Sequence, residues 1–293
     1  MNETRRNLRP TEFPPVITPP VREFSFTPAD FDRVRKLIHQ KAGISLSSAK
    51  QDMVYSRLAR RLRATGAKTF AEYLDRLERG GRGEWESFIN SLTTNLTSFF
   101  REPHHFPILA EHLRRQQTAH PLRVWCCAAS TGEEAYSLAV TVLESLAGTP
   151  VSIVATDIDT QVLGIAAAGI YAGDRVMRLS ADRLRRFFTS DPRAADGTSY
   201  VVRPELRRMV TFQPLNLLDA NWSVRGPFDA IFCRNVMIYF DKPTQYRILS
   251  RFVPLLQPNG LLFAGHSESF LHAGDLFRSQ GRTVYELARR PAS

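Results

Sequence analysis

Cysteine is scarce in this chain, and so are the patterns that would let it bind metal. Only Cys126, Cys127 and Cys233 occur in 293 residues; two are adjacent and none has zinc-ligand spacing. That excludes a disulfide framework and predicts no metal site. No HExxH-like pair is present among seven scattered histidines, and His104 and His105, being adjacent, would diverge by about 100° on a helix. No run of about 18 apolar residues exists, and the first twenty residues alternate charge and proline where a signal peptide would have an apolar core. The expectation is a cytoplasmic protein without membrane insertion. A glycine-rich GxGxxG turn is also missing, which argues against a pyrophosphate-bearing dinucleotide.

What is present is charge of one sign. Lys and Arg number 39 against 29 Asp and Glu, a formal +10. The excess is local, because residues 33–63 hold nine basic residues and the single acid Asp52. Hydrophobic residues at 43% and charged residues at 23% describe an ordinary folded protein.

Residues 1–24 carry Pro10, Pro14, Pro15, Pro19 and Pro20 among polar residues, a composition that reads as a disordered tail. Thr27-Pro28-Ala29-Asp30 then supplies a helix start, with Phe31, Val34 and Ile38 at helical spacing and Gly43 as the stop. A second helix is predicted over 48–65, with Val54, Leu58 and Leu62 as its apolar stripe and Arg57, Arg60, Arg61 and Arg63 on the opposite arc. Further helical periods follow at Phe70, Tyr73, Leu74 and Leu77 and at Trp85, Phe88, Ile89 and Leu92. Residues 25–95 therefore read as an all-α domain, and 96–120 as an interdomain linker and helix.

From residue 121 to 293 the pattern alternates strand and helix, as in a parallel sheet covered on both faces. Strands are expected at 123–127, 151–156, 210–213, 229–234, 261–265 and 284–287, with helices over 133–146, after Thr160 and over 244–252. Between about 170 and 208 the alternation fails, and one short strand at Tyr200–Val202 marks an inserted β-subdomain. In such sheets ligands sit beyond the carboxyl ends of the strands. The turn Ala128 to Gly132 leads into a helix opening with Glu133 and Glu134, which would repel a diphosphate and attract a cation. Asp157 ends the next strand where a carboxylate accepts ribose hydroxyls. A nucleoside with a cationic end and no phosphate is S-adenosylmethionine.

Six motifs in order extend this reading. Asn95 to Glu102, Ser130-Thr131-Gly132-Glu133-Glu134, Ala155 to Asp159, Asn216-Leu217-Leu218, Phe232 to Phe240 and Gly265-His266-Ser267-Glu268 together resemble CheR-type chemotaxis receptor methyltransferases over about residues 25–288. The resemblance implies a class I S-adenosylmethionine-dependent methyltransferase fold, α/β and Rossmann-like, with a small β-subdomain insertion and an all-α N-terminal domain. It implies methyl transfer to glutamate side chains of bacterial chemoreceptors, leaving S-adenosylhomocysteine. Carried over by motif, the cofactor site takes Asn95, Thr97, Arg101, Glu134, Asp157, Asn216, Leu217, Cys233, Arg234 and Asn235. Within it Glu134 faces the methionine amine, Asp157 the ribose, and Asn216-Leu217 the adenine region. Arg101 and Tyr239 are the catalytic candidates, placed to orient the acceptor. The implied partners are the receptor methylation helices, rich in Glu and docking on Arg57, Arg60, Arg61 and Arg63. Some members also dock the β-subdomain on a receptor C-terminal peptide, a choice the 170–208 stretch leaves open. A monomer that does not bind nucleic acid is expected. The strand reading Trp125-Cys126-Cys127-Ala128-Ala129 departs from the Ser-Ala start common in members, a change between small side chains.

Two other classes remain beside this one. Basicity suggests a nucleic-acid methyltransferase, but neither an Asp/Asn-Pro-Pro-Tyr tetrapeptide nor a Pro-Cys dipeptide is present. A non-catalytic receptor-binding module is opposed by the complete set of Arg101, Glu134, Asp157 and Asn235.

Overall fold

The computed structural model of the chain describes residues 22–116, 121–146, 148–194 and 198–288. Most of the Pro-rich stretch lies outside the described residues. Helix α1, Pro28–Ala42, begins where the sequence places it: the Thr27 side chain accepts from Asp30 N at 3.1 Å, and Asp30 returns a hydrogen bond from Thr27 N at 2.9 Å. This reciprocal cap satisfies two amides that the first turn leaves without partners. A single 3-10 turn over Ser48–Lys50 precedes α2, Gln51–Thr65, so the second α-helix starts three residues later than expected. Helices α3, Phe70–Arg79, and α4, Arg82–Leu92, complete the domain. Val34, Ile38, Val54, Leu58, Leu62, Phe70, Leu74, Leu77 and Phe88 form its core, each fully buried.

The interdomain segment ends in α5, His105–Gln116. Strand β1, Leu122–Cys126, then leads through a turn into α6, Glu133–Ser145; β2, Val151–Asp157, is followed by α7, Thr160–Ala168. The insertion holds more structure than its sequence announces. It comprises β3, Ile170–Ala172, α8, Gly173–Val176, α9, Ala181–Phe187, β4, Phe188–Ser190, and β5, Ser199–Val202. These strands form a separate antiparallel sheet in the order β3-β5-β4. Strands of three residues are too short to show a period of two, which is why only β5 was legible.

Helix α10, Pro204–Met209, returns the chain to β6, Val210–Pro214. Strand β7, Phe228–Cys233, stops one residue earlier than the sequence suggested, so Arg234 is the first residue beyond it. Helix α11, Lys242–Phe252, is followed by β8, Leu256–Ala264, β9, Phe277–Ser279, and β10, Val284–Leu287. The main sheet runs β6-β2-β1-β7-β8-β10-β9; the first five strands are parallel and β10 is antiparallel to both neighbours. Chain order departs in opposite directions from β1, toward β2 on one side and β7 on the other, and a crevice opens at that switch point.

The pleat of β1 explains its apolar run. Val124 and Cys126 enter the core shared with Phe106, Leu109, Tyr136 and Leu138, whereas Trp125 and Cys127 enter the opposite one with Ile231, Ile248 and Phe252. A strand buried on both faces reads as continuously hydrophobic. Trp125, at 0% exposure, packs edge-on to Phe252 at 5.3 Å and donates through its indole to Thr156 Oγ1 at 3.0 Å. No described helix is long and apolar enough to cross a membrane.

Candidate active site

The two domains meet over the carboxyl ends of β1, β2 and β7. Asn216 Nδ2 donates to Lys41 O at 2.8 Å, and Ser45 N donates to Tyr239 O at 2.9 Å. Asp159, capping α7 through Gln161 N, also receives Thr93 Oγ1 and Asn95 Nδ2, each at 2.9 Å. This buried carboxylate fixes the last turn of the helical domain against the sheet.

Between the domains lies a cavity of about 440 Å³, within the size of ordinary ligand sites. Asn95, Thr97, Arg101, Glu134, Asp157, Asn216, Leu217, Arg234, Asn235 and Tyr239, drawn from separate motifs, all line it. Cys233 does not. It is fully buried among Ile231, Met237 and Leu262, in the same core as Cys127, which supplies the thiol at the cavity wall.

The turn after β1 is built for close approach. Ser130 sits at φ 48° and Gly132 at φ 97°, and a Cβ on Gly132 would lie 2.8 Å from both Ala166 Cβ and the Tyr171 hydroxyl. Only glycine fits there. Beyond it the two glutamates separate in role. Glu133 is held by Arg175 of the insertion and by Thr131 Oγ1 at 2.7 Å, leaving Glu134 to face the cavity. Burial pushes the Glu134 carboxyl above its ordinary range, opposed by Arg234, whose Nη1 is 3.0 Å away. Asp157 accepts from Ser130 N at 2.7 Å and Asp159 N at 3.0 Å, yet burial dominates and raises it to about 6.

A further acid beside the cavity, outside its lining, was not foreseen. Glu102, beside Arg101 and at φ 54°, lies 3.3 Å from Arg234 Nη2, 3.3 Å from Asn235 Nδ2 and 3.0 Å from His266 Nδ1. Burial would raise it, but the His266 hydrogen bond and the Arg234 charge outweigh burial and bring it to about 2. Arg234 also donates to Arg101 O at 2.6 Å, so this guanidinium ties the interdomain segment to β7. Positive φ at Phe100, Glu102, Ser130 and Asn235 concentrates backbone strain around the crevice, as functional sites often do.

Several side chains are more engaged than the motifs imply. Asn95 is spent on Asp159 and Thr93, and Asn216 Oδ1 accepts from Leu218 N, so these two asparagines shape the walls. The helical domain also lines the cavity through Ile44, Ser45, Leu46, Ser47, Lys50 and Met53, which sequence reasoning did not assign. Their signal was faint: Ile44 to Ser47 lie between two helices, and Lys50 and Met53, at the start of α2, fall outside its stripe of Val54, Leu58 and Leu62.

Of the four docking arginines, Arg57 donates to Thr93 O, Arg61 makes a two-point pair with Glu84 at 2.8 and 3.2 Å, and Arg63 holds Glu23 at 2.8 Å. Arg60 is exposed and has no ion-pair partner among the described residues.

The residue set fits a zwitterionic nucleoside. Glu134 is a buried acid suited to an ammonium, and Arg234 Nε is buried without a hydrogen-bond partner among the described residues. Asp157 has acceptor capacity left for hydroxyls, and Leu215, Leu217 and Val236 give apolar wall for a base.

Residues 29–93 match the family model described as "CheR methyltransferase, all-alpha domain", and residues 95–285 the one described as "CheR methyltransferase, SAM binding domain". "Chemotaxis protein methyltransferase 2" of Pseudomonas aeruginosa is 54% identical over 270 residues, 91% of this chain and 96% of that protein. The "Chemotaxis protein methyltransferase" of Escherichia coli is 53% identical over 264 residues, covering 89% and 91%. That of Salmonella typhimurium is 52% identical over 274 residues, covering 92% and 94%.

Proposed function

We propose, from the premise that this chain belongs to the CheR family of S-adenosylmethionine-dependent chemotaxis methyltransferases, that its methyl acceptor is a glutamate side chain of a bacterial chemoreceptor. The observation that carries the acceptor class is the ionisable lining of the cavity. It contains no histidine, its one lysine is Lys50, and its two acids are tied to Arg234 and to backbone amides. Such a site suits a nucleophile that needs no base, and a glutamate carboxylate, with a reference pKa of about 4.3, is already ionised at neutral pH.

In this reading Glu134 takes the cofactor's ammonium, Arg234 and Asn235 border its carboxylate end, and Asp157 accepts ribose hydroxyls. S-adenosylmethionine supplies a methyl group on a cationic sulfonium, which the acceptor oxygen takes while sulfur keeps the bonding pair. Arg101, half-buried and tethered to Leu96 O at 2.9 Å, orients the acceptor carboxylate through its remaining donors. Tyr239, half-buried in the cavity lining and packed against the helical-domain core, closes the cavity against water. Catalysis then rests on alignment and on desolvating the acceptor rather than on proton transfer. The docking surface is the basic side of α1 and α2, and it includes Arg60, which is exposed and has no ion-pair partner among the described residues.

The test is transfer of labelled methyl to a chemoreceptor cytoplasmic fragment. Mild base should release the label as methanol, and Arg101→Ala should lower kcat about a hundredfold with cofactor affinity nearly unchanged. Base-stable label, or label on nucleic acid alone, contradicts the reading.

A further inference from the structure

The Gly265-His266-Ser267-Glu268 stretch touches neither end of the proposed chemistry, yet it connects the parts that do. It follows β8 and lies beside the turn from Arg234 to Tyr239. Glu268 is only 5% exposed, and its carboxylate accepts Asn235 N at 2.9 Å and Met237 N at 2.7 Å as well as Gly265 N of its own loop. Asn235 stands at φ 58°, a left-handed conformation that asparagine adopts more readily than most residues and that the Glu268 contact to its amide holds in place. From the same loop His266 Nδ1 reaches Glu102, whose Oε1 also receives Asn235 Nδ2. Gly265 completes the contact. A Cβ there would collide with the Asn235 amide group and sit 2.9 Å from its backbone nitrogen.

We propose that Glu268 is a positioning residue of the methyl-transfer site, holding the Arg234–Tyr239 turn by its backbone amides in fixed alignment with Arg101. Its geometry leaves no neutral substitute. Both oxygens face N–H groups, so Glu268→Gln turns an NH2 toward at least one donor and releases the turn. Gly265→Ala displaces Asn235 by a direct clash while keeping the Glu268 carboxylate itself. The role in turnover rests on the acceptor reading above; the role in shaping the cavity does not.

The experiment compares both variants with wild type in binding of S-adenosylhomocysteine by calorimetry, steady-state methylation of a receptor fragment and thermal unfolding. Both variants should bind S-adenosylhomocysteine roughly fivefold or more weakly and lose about tenfold or more in kcat at saturating substrates, with receptor KM within about twofold. Because docking lies on the helical domain, a purely local loosening leaves KM alone. A lowered melting temperature with affinity and kcat both within about twofold of wild type overturns the proposal, as does loss of folding in both variants. If wild type fails to methylate the fragment, the acceptor reading fails alone, and S-adenosylhomocysteine affinity still decides the role of Glu268.

Discussion

Arg234 Nη1 lies 3.0 Å from Glu134 Oε2 at the floor of the cavity, with the guanidinium fully shielded from solvent and the carboxylate nearly so. The same guanidinium is 3.3 Å from Glu102, so one buried cation faces two buried acids. Removing it strands both. Arg234→Ala should lower the unfolding free energy by about 3–5 kcal/mol and eliminate cofactor binding. Urea denaturation checks the first and calorimetry the second; a loss below about 1 kcal/mol would mean that the pair is already solvated.

Asp157 is raised to about 6 by burial, and in the proposed role as ribose ligand it should make cofactor binding sensitive to pH. Its folded value lies above the ordinary 3.8 of an aspartate, so between those values the folded chain binds the extra proton and stability falls as pH rises. Ribose hydroxyls donate to the ionised form, which is the abundant one above about 6. Affinity for S-adenosylhomocysteine should therefore fall as pH drops through 6, with proton release on binding near that value. Calorimetry across this range in buffers of different ionisation enthalpy reads both; a flat profile removes Asp157 from the ribose.

His105 and Glu102 act in the other direction. Burial, reinforced by Arg234, pulls His105 from 6.5 down to about 4. The unfolded imidazole then binds more protons, so the stability present above 6.5 is lost as pH falls toward 4. Glu102, at about 2, contributes stability above the ordinary glutamate value of 4.5 that disappears as pH falls through 2. His105→Gln can keep a donor toward Arg282 O and should flatten the stability slope in the upper window. Denaturation series for both proteins decide it; parallel slopes place the titration elsewhere.

Among the described residues, Arg60 is the docking arginine without an internal ion pair or hydrogen bond. Arg60→Glu should slow receptor methylation several-fold at low ionic strength, with the gap closing as salt screens the surface. Arg61→Glu should also destabilise the helical domain, since it sets a like charge against Glu84, which accepts the Tyr73 hydroxyl at 2.8 Å. Initial rates at two salt concentrations separate encounter from folding. A salt-independent Arg60→Glu defect denies the electrostatic face.

Legibility in the sequence followed the range of the interaction. Thr27, Pro28 and Asp30 act within one turn and located α1, and strands buried on both faces declared themselves as apolar runs at β1, β2 and β7. The ordered motifs brought ten residues to one cavity. Single-sequence reasoning could not see partners distant along the chain: Glu102 with His266 lie 164 positions apart, and Asn216 with Lys41 lie 175. Arg57, Arg61 and Arg63 looked like a free basic face because Thr93, Glu84 and Glu23 are brought to them only by folding. Cys233 is fully buried beneath the lining, a depth that the sequence of a strand end does not distinguish from a place at the cavity wall.

The most direct test is tandem mass spectrometry of a chemoreceptor cytoplasmic fragment incubated with the enzyme and S-adenosylmethionine. The account predicts added methyl groups on glutamate side chains of the fragment's helical segment, removed by mild base. Methyl groups confined to lysine, histidine or nucleic acid, or resistant to base, would contradict it.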